Sequence, residues 1–194
     1  MTDDEILAEF RAADALLEGH FILSSGLRSS RYLQCARVLM DGKRAEKLAR
    51  ALAAKLVTKL SADTIDAVVS PAMGGVIIGH EMGRALGRPA MFVERPDGIF
   101  YLRRGFALAP GTRVLMVEDV VTTGLSSKEA IRAIEEAGGE VVAAASLVDR
   151  SAGNADLGVP HVSLIRIDVP TYSAEDLPPE LAAIPAIKPG SRAA

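Results

Sequence analysis

Two adjacent carboxylates, Glu118 and Asp119, directly follow a continuous apolar run at residues 114–117. A run of this kind is expected for a strand that is buried on both faces of a parallel sheet. In open α/β sheets, ligands bind just beyond the carboxyl ends of the strands. Two carboxylates that end a buried strand are costly unless they bind something, so this position is a candidate site.

Hydroxyl and glycine residues follow the acidic pair and lead into a predicted helix. Thr122, Thr123 and Ser126 supply hydroxyls, and Gly124 lets the backbone approach an anion closely. Together with the free N–H groups of a helix N-terminus, they form an anion site. A phosphorylated sugar needs both parts, because carboxylates accept its hydroxyl protons and N–H groups hold its phosphate. The alternative is an ordinary turn and helix cap, which the three residues 122–124 alone would favour and the whole segment does not.

Strands that alternate with helices are predicted to position this site, which indicates an α/β fold with an open, mostly parallel twisted sheet flanked by helices. Residues 20–40 are predicted to hold two short extended stretches around Gly26, with Arg28 and Arg31 between them. Residues 95–106 are predicted to form a hairpin or flap, and the tail from residue 178 is predicted to be irregular. The predicted strands cover residues 66–70, 90–94, 113–118, 140–148 and 162–169, and the predicted helices cover residues 3–18, 43–60, 126–137 and a segment from the turn at 71–75 to about 86.

Composition and charge exclude several classes of protein. The 194 residues suit one domain, and a net charge of −3 gives no overall attraction to nucleic acid or to an acidic membrane. Cys35 is the only cysteine, which excludes an intrachain disulfide and a zinc site built from cysteines. The acidic N-terminus is unlike a signal peptide, and no apolar run reaches the ~20 residues of a membrane span. We therefore expect a soluble cytoplasmic protein.

The segment from residue 114 to residue 126 resembles the motif by which type I phosphoribosyltransferases bind phosphoribosyl pyrophosphate (PRPP). The resemblance implies the fold of that family, and it implies that Glu118 and Asp119 contact the ribose hydroxyls. It also implies that the loop behind them binds the 5-phosphate. The loop residues are Val120, Val121, Thr122, Thr123, Gly124, Leu125 and Ser126.

Three further segments resemble the orotate enzymes of that family. The segment from Gly19 to Gly26, continued by residues 30–34, is similar to a hood over the base, in which Tyr32 and Leu33 match the pocket. Residues 70–75 are similar to the pyrophosphate loop. The third segment, residues 148–150, ends in Arg150. The resemblance implies a single domain over residues 1–194, with a hood at 1–40, a core at 60–172 and a tail at 173–194.

Residue roles follow from these matches by position. Met73 and Gly74 would contact PRPP, and Thr122 and Arg150 would contact orotate. An arginine at a strand end can hold the orotate carboxylate through two parallel hydrogen bonds, although Arg150 could instead be a surface arginine paired with Asp149.

The flap departs from the family pattern, which often has lysines and a histidine there. Residues 94–106 contain neither, and Arg95 falls where a family lysine is expected. Ser24 and Gly74 also stand where other members often have lysine. Arg95 is therefore the first candidate for a catalytic cation that contacts pyrophosphate. Arg103 and Arg104 fit a solvated hairpin face equally well.

The resemblance implies transfer of the phosphoribosyl group from PRPP to orotate, in pyrimidine biosynthesis, by a homodimer with shared active sites. The many phosphate charges of PRPP call for Mg²⁺, which would be held mainly by PRPP and water, and no protein ligand of the metal is predicted. Two alternatives remain open: a phosphoribosyltransferase for another base, and a regulator that binds PRPP without turnover.

Overall fold

A computed structural model of the chain describes residues 1–23 and 26–188. The described residues leave out Ser24, Ser25 and residues 189–194 at the end of the tail. The expectation that Ser24 stands in the place of a family lysine therefore lies outside the described residues. The described chain divides into two compact units. One contains the described residues of Met1–Met40 and Asp168–Ala194, and the other contains Asp41–Ile167.

The larger unit is built on a six-stranded sheet with the order β5-β4-β3-β6-β7-β8. All neighbouring strands are parallel except β5, which pairs antiparallel with β4. The mostly parallel α/β sheet predicted from the sequence is therefore confirmed, as is the hairpin after residue 94. The strands are β3 (Ala67–Pro71), β4 (Ala90–Glu94), β5 (Tyr101–Leu102), β6 (Thr112–Val121), β7 (Gly139–Asp149) and β8 (His161–Arg166).

Three helices flank this sheet: α3 (Gly42–Val57), α4 (Gly75–Leu86) and α5 (Leu125–Glu136). The side chain of Asp41 caps α3 by accepting hydrogen bonds from the N–H groups of Lys43 and Arg44. Leu48, Leu52 and Leu56 repeat at helical spacing and are fully buried. The predicted helix over residues 43–60 thus extends three residues too far, because the chain turns after Val57.

The acidic pair lies inside β6 rather than at its end, because β6 continues to Val121, three residues past the predicted strand over residues 113–118. On one side, β6 pairs with β7 as far as Val121, opposite Asp149. On the other side, the pairing with β3 ends at Met116. Glu118 and Asp119 are therefore held by one neighbouring strand, while the edge toward β3 is left open for the turn that begins α4.

The smaller unit contains a three-stranded sheet with the order β1-β2-β9. Its β2 pairs antiparallel with both neighbours. Arg28 and Arg31 lie inside β2, which corrects their expected position between two strands. The tail expected to be irregular contains a short helix, and Ile187 bridges to Phe21. The elements are α1 (Asp3–Ala12), β1 (Leu16–Ile22), β2 (Arg28–Leu33), α2 (Cys35–Leu39), β9 (Thr171–Tyr172) and α6 (Pro179–Ala182).

The predicted helix over residues 3–18 is wrong beyond Ala12. A capping box between Thr2 and Glu5 starts α1 as its sequence suggests. The chain then reverses at Asp14, which has a φ of 47°. Leu16 and Leu17 continue the helical spacing of apolar residues, but they belong to β1, where they pair with Leu33 and Tyr32. Tertiary pairing overrides the local pattern here.

No helix among residues 1–23 and 26–188 is long and apolar enough to cross a membrane.

Candidate active site

Glu118 is a buried carboxylate with only 8% of its surface exposed. The Ser127 hydroxyl, on the first turn of α5, donates a hydrogen bond to Glu118 Oε2. Burial raises the pKa of Glu118 from 4.5 to about 7, and the negative charge of Asp119 adds to this. The hydrogen bond from Ser127 and the positive charge of Arg95 act in the opposite direction. Glu118 can therefore change its protonation state near neutral pH.

Asp119 lies against the turn that opens α4. Burial raises the pKa of its carboxyl, and hydrogen bonds from its own backbone N–H and that of Val120 oppose the shift. A Cβ built on Gly74 would lie 2.8 Å from Asp119 Oδ1 and 2.9 Å from Oδ2. Only a glycine at this position leaves the Asp119 carboxylate where it is. Met73, next to it, is 83% exposed. The turn at Gly74 is therefore packed directly against the Asp119 side chain.

The loop behind the acidic pair requires its glycine. Gly124 has a φ of +79°, and a Cβ there would lie 2.7 Å from Leu157 Cδ2. Thr122 and Thr123 are exposed, and Thr123 Oγ1 accepts a hydrogen bond of 3.4 Å from the Leu125 N–H. The loop thus delivers hydroxyls and the N-terminal N–H groups of α5 to one place, which suits an anion.

A cleft of about 260 Å³ lies between Glu118 on β6, the loop at residues 122–126 and Arg95 at the start of the flap. It brings together Arg95, Glu118 and most of the predicted phosphate loop. Asp119, Met73, Gly74 and Arg150 are not among its described lining residues. Those lining residues are Arg95, Glu118, Val120, Thr122, Thr123, Gly124, Leu125, Ser126, Ser127 and Glu129.

Arg95 follows β4 and forms one wall of this cleft. Its Nη2 donates a hydrogen bond to Glu129 Oε2 in an ion pair with α5. Its guanidinium carbon also lies 4.1 Å from the centroid of the Phe100 ring, within the range of a cation–π contact. Sequence reasoning did not identify Glu129 or Ser127. The sequence signal for Glu129 is its helical spacing, because it follows Ser126 by three residues on α5. Ser127 directly follows Ser126 in the sequence.

The two weaker arginine candidates differ in their contacts. Arg104 donates to both carboxylate oxygens of Glu94, at 2.9 and 2.7 Å. This contact lowers the pKa of Glu94. Arg103 is exposed. Arg104 is thus engaged within the hairpin, as expected for a solvated hairpin face.

Arg150 lies directly after β7, beside the end of β6. Its backbone N–H donates to the carbonyl oxygen of Val121 at 2.8 Å, which brings Arg150 next to the start of the loop at Thr122. Asp149, which precedes it, is 1% exposed and accepts hydrogen bonds from the N–H and hydroxyl of Ser151 and from Arg166 Nε.

Tyr32 and Leu33 belong to the smaller unit. The Tyr32 hydroxyl donates to Gln34 Oε1 at 3.0 Å, and its ring lies 5.8 Å from that of Phe21, centroid to centroid. Leu33 is only 8% exposed, and it pairs with Leu16 of β1.

No group of three or more His, Cys, Asp or Glu side chains that could hold a metal ion occurs in the part of the chain that the structure describes. Glu118 and Asp119 nevertheless offer carboxylate oxygens, which are the ligand type that Mg²⁺ prefers.

Similarity to known proteins agrees with the geometry. Residues 38–171 match the family described as phosphoribosyl transferase domain. The chain is 75% identical over 194 residues to a protein of Rhizorhabdus wittichii named orotate phosphoribosyltransferase, covering 100% of this chain and 98% of that protein.

Solved structures share the fold. That of orotate phosphoribosyltransferase from Aeropyrum pernix has a TM-score of 0.66 at 30% identity and covers 83% of this chain and 93% of that one. That of adenine phosphoribosyltransferase from Thermoanaerobacter pseudethanolicus has a TM-score of 0.58 at 21% identity and covers 71% and 88%. The second match concerns the fold alone.

Proposed function

The chain belongs to the orotate phosphoribosyltransferase family, and we propose that it transfers the phosphoribosyl group of PRPP to orotate. The products are orotidine 5′-monophosphate and pyrophosphate, on the route to UMP. Identity to the Rhizorhabdus wittichii relative, 75% over the whole chain, supports the choice of base. The observation that carries the proposal is the acidic pair on β6, which adjoins both the Gly74 turn and the anion loop at the start of α5.

PRPP is proposed to lie along β6 and the loop behind it. Glu118 and Asp119 would accept hydrogen bonds from the ribose hydroxyls, and the N–H groups and hydroxyls of residues 120–126 would hold the 5-phosphate. Met73 and Gly74 would face the pyrophosphate. Gly74 adjoins the Asp119 carboxylate, which would hold the ribose that carries the pyrophosphate.

The reaction needs no covalent intermediate on the protein. A ring nitrogen of orotate gives up its proton to water or to the departing pyrophosphate and forms a bond to the anomeric carbon of the ribose, while the bond from that carbon to the pyrophosphate oxygen breaks. Positive charge develops on the sugar, by analogy with glycoside chemistry, and negative charge develops on the leaving group. Arg95 would stabilise the leaving group, and the acidic pair would orient the sugar. The 95–106 flap would exclude water.

Orotate differs from the purine bases by its carboxylate, which a cation can select. Arg150 and Thr122 are proposed as its contacts, and the Arg150 N–H bound to Val121 supports their nearness. Tyr32 and Leu33 are proposed to line the base pocket.

Mg²⁺ is the proposed cofactor, bound mainly by PRPP oxygens and water. When bound, it would supply charge neutralisation to the pyrophosphate. Its nearest protein ligands would be the carboxylates Glu118 and Asp119.

We also propose a cytoplasmic homodimer with shared active sites. Met73 and Ile77 expose apolar side chains at and just after the turn that opens α4, and Ile99 and Tyr101 do so on the flap. A partner copy that covers these surfaces would remove apolar area from water. The single cysteine suits a reducing compartment.

The direct test mixes the protein with orotate, PRPP and Mg²⁺ and follows the loss of orotate absorbance together with the release of pyrophosphate. Turnover with orotate, and none with adenine or uracil, is expected. Turnover with another base would favour a different salvage enzyme. Tight PRPP binding without pyrophosphate release would favour a regulator that senses PRPP.

A further inference from the structure

The cation expected to meet pyrophosphate is already neutralised in the structure. Arg95 is paired with Glu129 on α5 and stacked on Phe100. Phe100 is only 4% exposed, so its ring is a fixed platform that limits where the guanidinium can lie. An arginine held from two sides in this way is in a defined position before any ligand arrives.

The pairing of Arg95 with Glu129 affects anion binding because the described lining of the cleft has little positive charge. Among its described lining residues, Arg95 is the only cation, whereas Glu118 and Glu129 are both carboxylates. The phosphates of PRPP are attracted only weakly to Arg95 while the Glu129 carboxylate balances the charge of the guanidinium. Glu129 would also repel the phosphates directly.

We infer that Glu129 is the counter-ion that Arg95 exchanges for the pyrophosphate group, so that Glu129 is a positioning residue that weakens the hold on pyrophosphate and speeds its release. This inference rests on the proposed function. In the free protein, the Glu129 carboxylate holds Arg95 in the wall of the cleft. In the complex, the pyrophosphate oxygens replace the Glu129 carboxylate as the partner of Arg95.

The size of the effect follows from the exposure of the pair. The side chains of Arg95 and Glu129 are 36% and 40% exposed, so water screens their attraction. Removal of the carboxylate in Glu129→Gln should therefore tighten pyrophosphate binding by about 2- to 5-fold, within the modest range expected for exposed ion pairs.

The experiment measures Kd for pyrophosphate and for PRPP, each with Mg²⁺, by titration calorimetry on the full chain. The variants are Glu129→Gln, Arg95→Gln and the double variant, with Glu135→Gln as control because Glu135 is exposed on the same helix outside the cleft. Glu129→Gln should tighten binding, Arg95→Gln should weaken it, and Glu135→Gln should leave it unchanged. Thermal unfolding checks that each variant folds.

The double variant separates exchange at Arg95 from simple loss of a negative charge. Without Arg95, the substitution of Glu129 should change Kd by less than about 2-fold, because the residues act through one contact. In turnover, Glu129→Gln should lower KM for PRPP and lower kcat as pyrophosphate leaves more slowly.

Two results would overturn the inference while leaving the proposed function standing. One is an active Glu129→Gln enzyme with unchanged or weaker binding of pyrophosphate, which would make Glu129 a simple support for Arg95. The other is an equal gain from Glu129→Gln in the Arg95→Gln background. A wild-type protein that binds neither PRPP nor pyrophosphate would overturn the inference and the proposed function together.

Discussion

Gly74 at the start of α4 lies so close to Asp119 on β6 that a Cβ built on the glycine would stand 2.8 Å from Asp119 Oδ1. The two residues belong to different strand-turn-helix units of the same sheet. The β3–β6 pairing ends at Met116, so the turn after β3 folds against the acidic end of β6. The carboxylate expected to bind the sugar and the turn expected to bind pyrophosphate are therefore positioned by each other.

Gly74→Ala should impair PRPP use without unfolding the protein. The added methyl group would displace the Asp119 carboxylate, and a misplaced group in a site costs about 10-fold or more in rate. We expect kcat/KM for PRPP to fall by at least about 10-fold. Gly42→Ala is the matched control, because nothing lies within 4 Å of a Cβ there. Equal activity of the two variants would mean that the Asp119 carboxylate does not contact the sugar.

The stability of the protein should depend on the protonation of Glu118. Burial raises the pKa of Glu118 to about 7, whereas an unhindered glutamate has a pKa of 4.5. The folded protein therefore keeps a proton that the unfolded chain releases. The contribution of this proton to stability is complete below pH 4.5 and is lost as the pH rises through about 7.

Urea unfolding at several pH values measures this loss. Relative to Glu118→Gln, whose amide does not titrate, the wild type should lose ~3 kcal/mol of unfolding free energy across that interval. Parallel pH profiles of the two proteins would show that the raised pKa is absent.

Ser127→Ala should shift the pH dependence of PRPP binding upward. The Ser127 hydroxyl donates to the ionised Glu118 carboxylate and lowers its pKa, so its removal raises that pKa further. Ribose hydroxyls are best accepted by the ionised form. KM for PRPP near pH 7 should therefore rise, and it should recover at higher pH. Ser163→Ala removes a hydroxyl from another buried serine, on β8, and should leave the profile in place. A loss that is uniform across pH would assign Ser127 a packing role only.

Much of the sheet follows from local sequence patterns. The apolar run at 90–93 is followed by Glu94, Arg95 and Pro96, and β4 has the predicted bounds of 90–94. The acidic pair and the Thr/Gly/Ser loop are contiguous in sequence, so residue types along one segment are enough to predict that part of the site.

What could not be predicted depends on contacts between distant segments. The end of α1 is set by the reversal at Asp14 and the pairing of β1 with β2, against the helical spacing of Leu16 and Leu17. Glu129 enters the site only because α5 presents it to Arg95, 34 residues away in sequence. The closeness of Gly74 to Asp119 likewise depends on where β3 leaves its pairing with β6.

Asp119→Asn tests most directly whether the acidic pair binds the sugar of PRPP. The measurement is orotate-dependent pyrophosphate release as a function of PRPP concentration, alongside thermal unfolding. We expect turnover by the wild type and a loss of about 100-fold or more in kcat/KM for PRPP in the variant, because a partly buried carboxylate that binds substrate loses charge-assisted hydrogen bonds when a neutral amide replaces it. Near-normal turnover by a well-folded Asp119→Asn protein would contradict the assignment of the sugar site to the end of β6.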